Sequence, residues 1–240
     1  LDNFSTTGLL KMNGTAKQVT SAGKTLNNFE VSGGSVTQVG ALTLSGTFAQ
    51  TAGTFTQAAN NNLTVTGDSF TLANSTTFTR ASGSGILIFD KTGSMTFADN
   101  NSTKQNLGTV QIGASPTVTT LTTDMSANNL TIPNTDTLNT KGYDVTLQNN
   151  LTCQSTCVLD LTDTGPSNEG DGTIMDIGGN WNMSGTFTAY TNSLVFMNST
   201  AANNSNVDIA TNGQAFNDFE CKNAGTTNDD CNISGNFTVN

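Results

Sequence analysis

No histidine occurs in the 240 residues, which removes Ser-His-Asp and Cys-His nucleophile activation and the usual zinc hydrolase sites at once. Basic side chains are scarce as well: 8 Lys and Arg stand against 18 Asp and Glu, a net charge of -10. That leaves no basic stripe to neutralise phosphates and sets the chain against nucleic acid and against an anionic membrane surface. Long apolar runs are missing. The longest strongly apolar stretch, ILIF at 86–89, falls far short of the roughly 20 residues a spanning helix needs, so no membrane insertion is expected. The first residue is Leu1, with no basic n-region or apolar h-region after it, so an export signal would lie outside this sequence. The lack of an apolar N-terminal helix also argues against pilin-like or flagellin-like subunits. Proline is rare, at 3 residues, and helical periodicity is not found in any segment.

What is present is polar and repetitive. Only 34% of residues are hydrophobic and roughly a quarter are Ser or Thr, too polar for a thick two-layer core. Apolar residues nevertheless alternate too regularly for disorder, in short period-2 runs such as LTLSGTF at 42–48, LTVTG at 63–67 and YDVTL at 143–147. The fold class is all-β. LLKMNGTA at 9–16 with LNNFEV at 26–31 returns as LVFMNSTA at 194–201 with FNDFEC at 216–221. The terminal units 4–48 and 187–237 are therefore variants of one another within a single domain, 1–240. Between them NNLT recurs at 61–64, 128–131 and 149–152, with strand-like stretches of about 20 residues per repeat.

That length is what one coil of a parallel β-helix (β-solenoid) requires, and about ten short coils at about 4.8 Å each would give a rod on the order of 50 Å long. Alternation then sends Leu63, Val65, Leu130, Ile132, Leu151 and Cys153 inward, and Thr64, Thr131 and Thr152 outward. Trp181 and the TFT phenylalanines Phe55, Phe78 and Phe187 are expected to fill the core. The alternative architecture is a pair of antiparallel β-sandwich domains, for which only Asn212-Gly213 and Asp171-Gly172 offer two-residue hairpin turns.

GGNWNMSGTFTAYTNSLVFMNST at 178–200, NGQAFNDFEC at 212–221, LGTVQIG at 107–113 and LNTKGYDVTLQNNLTC at 138–153 resemble the repeat passages of large bacterial or archaeal extracellular surface proteins, adhesin-like and predicted to be β-solenoids. The resemblance implies an extracellular structural or adhesive role and brings no catalytic residues.

Four cysteines agree with export. Cys153 and Cys157 flank the corner QST, and Cys221 and Cys231 flank a polar loop, so a disulfide across each corner is expected with the sulfurs on the core side. Buried thiols are the competing reading, and C-x3-C without histidine is a poor zinc pattern, so no metal site is assigned. Asp160, Asp163, Glu169, Asp171 and Asp176 surround the loop DTGPSNEGDGT. They read as a solvated acidic insertion, with adventitious Ca²⁺ or a carboxylate-only glycosidase as lesser readings. No cofactor and no enzymatic activity are expected. Asn62, Asn101, Asn129, Asn150 and Asn198 head Asn-x-Ser/Thr sequons and are candidate glycosylation sites, although stacked Asn ladders at corners explain the same bias. Thr-x-Thr triplets at 54–56, 64–66, 77–79, 117–119 and 186–188 would suit an ice-binding plane if they stacked.

The expected function is a structural subunit or repeat segment of an extracellular filament, stalk or adhesin shaft. It would assemble head to tail through Leu1, Phe4, Phe237 and Val239. The alternative is a surface binding module, either an adhesin for surface glycans or an ice binder.

Overall fold

In a computed structural model residues 8–113, 116–162, 172–199, 207–223 and 231–239 are described. They form a parallel β-solenoid of about nine turns, and no helix occurs among them. The strands line three faces. One face is the nine-strand run from Leu9–Met12 to Thr186–Thr188 of an 11-stranded sheet, whose other two strands, Lys17–Val19 and Thr77–Arg80, lie off that run, and a second face is a 10-stranded sheet from Thr25–Leu26 to Cys231–Ser234. A five-stranded sheet, Met125–Ala127 to Asp218–Asn223, makes the third face of the C-terminal half. Every pairing among these strands is parallel, as expected for a solenoid and unlike a sandwich of hairpins.

Successive turns stack Leu42, Leu63, Leu87, Val110, Leu130, Leu151, Trp181, Ile209 and Ile233 in one row. Turn length therefore varies from 20 residues (Val110 to Leu130) to 30 (Leu151 to Trp181). Those long turns are why the chain completes about nine turns rather than the ten expected from a constant repeat. The expected faces hold: Leu63, Val65, Leu130, Ile132, Leu151 and Cys153 are buried, while Thr64, Thr131 and Thr152 face out and stay half-exposed.

Aromatic residues fill the core of the first turns. Phe29, Phe48, Phe70 and Phe97 occupy one register row on the 11-stranded sheet, and Phe48 and Phe70 stack with ring centroids 4.5 Å apart. Phe55 and Phe78 pack against this row from the third face. In the C-terminal half Trp181, Phe187 and Phe216 take the same role, with centroids 5.2 to 5.5 Å apart. Phe-to-Phe rows suit a solenoid because each ring meets an identical ring one turn away, which gains packing beyond area burial.

Corners are tight. Gly67 lies directly over Gly46, and a Cβ at Gly67 would collide with the Gly46 carbonyl, so the chain passes this corner only without a side chain.

The third face has one interruption. In the N-terminal half it is built by the second halves of two long strands, Asn28–Gln38 and Phe48–Gln57, flanked by Lys17–Val19 and Thr77–Arg80. In the next turn no strand stands there, and the bridge Asn106↔Ser126 alone reconnects the face to Met125–Ala127.

Candidate functional surfaces

At the entry to the 10-stranded sheet, Asn62, Asn129, Asn150 and Asn180 each precede an inward residue and point along the axis. The Asn62 Oδ1 accepts the N–H of Ile86 at 3.0 Å, Asn129 that of Asn150 at 3.2 Å, Asn150 that of Asn180 at 2.8 Å, and Asn180 that of Asp208 at 2.9 Å. Each side chain thus satisfies a backbone donor one turn farther on, which is the ladder reading of the asparagine bias. The sequon follows from the coil itself. A corner Asn, an inward Leu and an outward Thr spell N-L-T wherever this corner recurs.

Asn101 is different. It is 5% exposed, and its Nδ2 donates to Asp99 Oδ1 at 2.7 Å and to Thr76 Oγ1 at 3.3 Å. A glycan on Nδ2 would displace both bonds inside the stack, so the folded chain presents no attachment point there. Asn198 is half-exposed and hydrogen-bonds the Asp176 carboxylate.

Both cysteine pairs are disulfides. Cys153 and Cys157 bridge a corner with Cα atoms 5.7 Å apart, both sulfurs buried, and Cys221 and Cys231 join across 6.7 Å. The second pair departs from expectation: Cys221 is exposed and Ile233 is 41% exposed rather than in the core. Its strands belong to the last described turns, where no further described turn lies over their inward side chains. Disulfides of this number are what an oxidising compartment leaves in a chain.

Of the assembly residues, Leu1 and Phe4 lie outside the described residues, whereas Phe237 and Val239 are 36% and 46% exposed. Phe237 packs edge-on against Phe219 at 5.0 Å. Asp163, Glu169 and Asp171 of the acidic loop also lie outside the described residues. Among the described residues no group of three His, Cys, Asp or Glu is placed to hold a metal.

The Thr-x-Thr triplets do not share a plane. Thr54 and Thr56 pair with Thr77 and Thr79 on the third face. Thr186 and Thr188 belong to the 11-stranded sheet and Thr64 to the 10-stranded one, while Thr117 and Thr119 are fully buried. The expected core aromatics Trp181, Phe55, Phe78 and Phe187 are all buried.

Two features were not anticipated from the sequence. Gln38 and Gln57 are buried at strand ends and Gln50 within a strand, and each Nε2 bridges two carbonyls: Gly40 and Asn62 for Gln38, Gly53 and Thr77 for Gln50, and Asn61 and Ile86 for Gln57. The available signal was position, since each Gln stands at an inward place of the alternation shortly before small residues or Asn. The other is a knot at 99–105, where Asp99 caps the turn that replaces the missing third-face strand. D-x-N at 99–101 was its signal.

Charge is perturbed at few places. Hydrogen bonds from Lys11, at 2.9 Å, and Thr51 hold the half-buried Glu30 carboxyl below its ordinary pKa. Burial pushes Asp136 above the usual carboxylate range, partly offset by the Thr117 N–H at 2.8 Å and aided by the charge of Asp90. Because folding raises the affinity of Asp136 for its proton, its contribution favours the folded state at low pH. That contribution declines as pH climbs from the ordinary carboxylate value to the raised one. Asp136→Asn keeps the acceptor for Thr117 and removes this decline. The expected result is a stability difference, variant minus wild type, that grows with pH across that window in urea titrations; a difference independent of pH would show that Asp136 is not destabilised by ionisation.

A stacked, all-parallel arrangement of this kind defines a β-solenoid protein with repeat character. Comparison of the chain with family models, curated proteins and solved structures gives no match. No helix among the described residues is long and apolar enough to cross a membrane.

Proposed function

We propose that the chain is a length of shaft in an extracellular filament, stalk or adhesin, with turns stacked end to end on the cell surface. The observation that supports this most directly is the asparagine corner, where four turns, three of them consecutive, each satisfy a backbone donor of the next by one repeated contact. Such a contact has no natural terminus along the axis, and solenoid energetics is a sum of turns and nearest-neighbour interfaces. The strands Cys231–Ser234 and Thr238–Val239 leave Ile233, Phe237 and Val239 at 36% to 46% exposure. A further turn, from the same chain or from a second copy joined head to tail, would cover these side chains and pair the strand edges. In this reading the chain works mechanically, without catalysis, cofactor, nucleic acid or membrane insertion, and the two disulfides suit the exterior of a cell.

The test uses the native assembly. Replacing Phe237 and Val239 together with Asp places two charges on a surface that must be desolvated at the joint. Filaments in electron micrographs should shorten or vanish while circular dichroism stays β-rich. Filaments of unchanged length would exclude this surface as the joint. The division of the Thr-x-Thr triplets among three faces and the interior favours the shaft over an ice-binding plane.

A further inference from the structure

Arg80 is the chain's single arginine, and it stands at an inward-facing register position. It pairs with the fully buried Gln57 of the neighbouring turn and follows the buried Phe78 by two residues, so alternation carries its side chain toward the interior. It is half-buried, and its Nε is wholly covered without a hydrogen-bond partner. Three lysines are accommodated by partners. Lys11 pairs with Glu30, Lys91 with Asp68, and Lys104 rests on the carbonyls of Asp99 and Asn101. Arg80 forms no ion pair among the described residues, in a chain with 18 acidic side chains to offer. Burial lowers its pKa, and no neighbouring carboxylate offsets that burial. The guanidinium remains charged at any physiological pH, so the folded chain carries the desolvation cost of a cation with nothing opposite it.

The fold makes room at this place. Because no strand occupies the third face in the turn after Thr77–Arg80, a recess of about 280 Å³ opens there, lined by Arg80, Ala81, Ser82, Gly83, Asn106, Gly108 and Asn128. The guanidinium lies against Gly108, whose φ of 71° and lack of a Cβ allow that approach; any side chain there would strike the Arg80 Nη1. The Asn106 Nδ2 donates to the Asn128 Oδ1 at 2.7 Å, and the Asn106 Oδ1 accepts the Gly108 N–H at 2.8 Å. With its oxygen so engaged, Asn128 is left with its Nδ2 as a donor beside the recess, and Ser82 adds a hydroxyl at the rim. The lining therefore combines a planar cationic fork with neutral donors and no carboxylate.

We infer that this recess is a binding site for a carboxylate group, carried by a small organic acid or by an acidic sugar. A carboxylate matches the guanidinium fork with two parallel N–H···O bonds and supplies the missing counter-charge. At about 280 Å³ the recess is slightly smaller than the ligand pockets of about 300 to 1,000 Å³ and so suits one sugar unit or a terminal acid group. The site lies on the side of the stack and does not depend on end-to-end assembly.

The experiment titrates the isotope-labelled chain with glucuronate, glucose, acetate and sulfate, following the amide resonances of Ser82, Gly83 and Gly108. Glucuronate and acetate should shift these signals saturably and glucose should not. Tighter binding of glucuronate would identify an acidic sugar as the source, and equal binding would show that the carboxylate alone is read. Arg80→Gln should abolish the shifts, and Arg80→Lys, which keeps the charge and loses the fork, should weaken binding about tenfold. Circular dichroism should match wild type for both variants; Arg80→Gln removes the unopposed charge and should melt no lower than wild type, so lost binding there is not lost folding. Asn128→Asp supplies an internal carboxylate and should block binding while raising the melting temperature. Glucose as effective as glucuronate, sulfate as effective as acetate, or Arg80→Gln binding like wild type would overturn the assignment.

Discussion

Phe48→Ala should cost about 3 to 5 kcal/mol and should unzip the N-terminal turns while leaving the C-terminal ones closed. Phe48 is fully buried and its ring meets Phe29, Phe55, Phe70 and Phe78 at centroid distances of 4.5 to 6.3 Å. Removing it opens a cavity shared by three successive turns, and parallel strands pinned by register cannot collapse sideways to fill it. Because each turn contacts only its neighbours, the loss stays local. Amide exchange should accelerate in the turns holding Phe29, Phe48 and Phe70 and remain slow around Trp181, Phe187 and Phe216, which form a separate aromatic group. Val39→Ala, at a position 48% exposed, serves as the control and should change stability by less than about 0.5 kcal/mol. Uniform acceleration along the chain would mean that the stack melts as one cooperative unit, contrary to this account.

Asp99→Ala should cost at least about 3 kcal/mol, because it strands several buried donors at once. The Asp99 Oδ1 accepts from the Asn101 N–H at 3.0 Å and from the Asn101 Nδ2 at 2.7 Å, and its Oδ2 accepts the Gln105 N–H at 2.6 Å. Asn101 in turn accepts the Thr76 N–H at 3.1 Å from the turn before, and the Asp99 N–H donates to Thr123 Oγ1 at 2.7 Å in the turn after. This knot ties three turns together where the third face lacks a strand. Asp99→Asn keeps an Oδ1 for the two Asn101 bonds but turns its Nδ2 toward the Gln105 N–H, so it should be destabilised, though less than the alanine variant, read from urea midpoints at constant slope. An asparagine variant as stable as wild type would refute the role of the carboxylate. Either destabilised variant should also loosen the recess at Arg80, since residues 100–105 occupy the turn that leaves it open.

Much of this fold is legible in the sequence because a solenoid is nearly one-dimensional. Side-chain alternation in L-T-V at 63–65, L-T-I at 130–132 and L-T-C at 151–153 fixes which residues enter the core, and the spacing of those copies fixes how far apart the stacked rows lie. Cysteine spacing around one corner likewise identified two pairs that the structure joins. The sequence by itself determined the all-β class, the inward rows and the polar, acidic exterior. These depend only on local periodicity and composition.

Only the tertiary structure decided features that depend on what lies one turn away. Turn length between Leu151 and Trp181 is set by how much chain is inserted between matched rows, which no local pattern reports. The sequons at Asn62, Asn129 and Asn150 became ladder rungs only when their Oδ1 atoms met the N–H groups of the next turn. Asn101 was indistinguishable from them as a motif, yet it is buried because Asp99 and Thr76 surround it. Thr117 and Thr119 share the spacing of the outward triplets and point inside, because Leu121, on the same side of their strand, stacks on the buried Phe97 and turns Val118 outward. Arg80 is the clearest case. Alternation marks it as inward, but the missing strand beside it, which lets a charge stand there and leaves it reachable, exists only in the stacked structure.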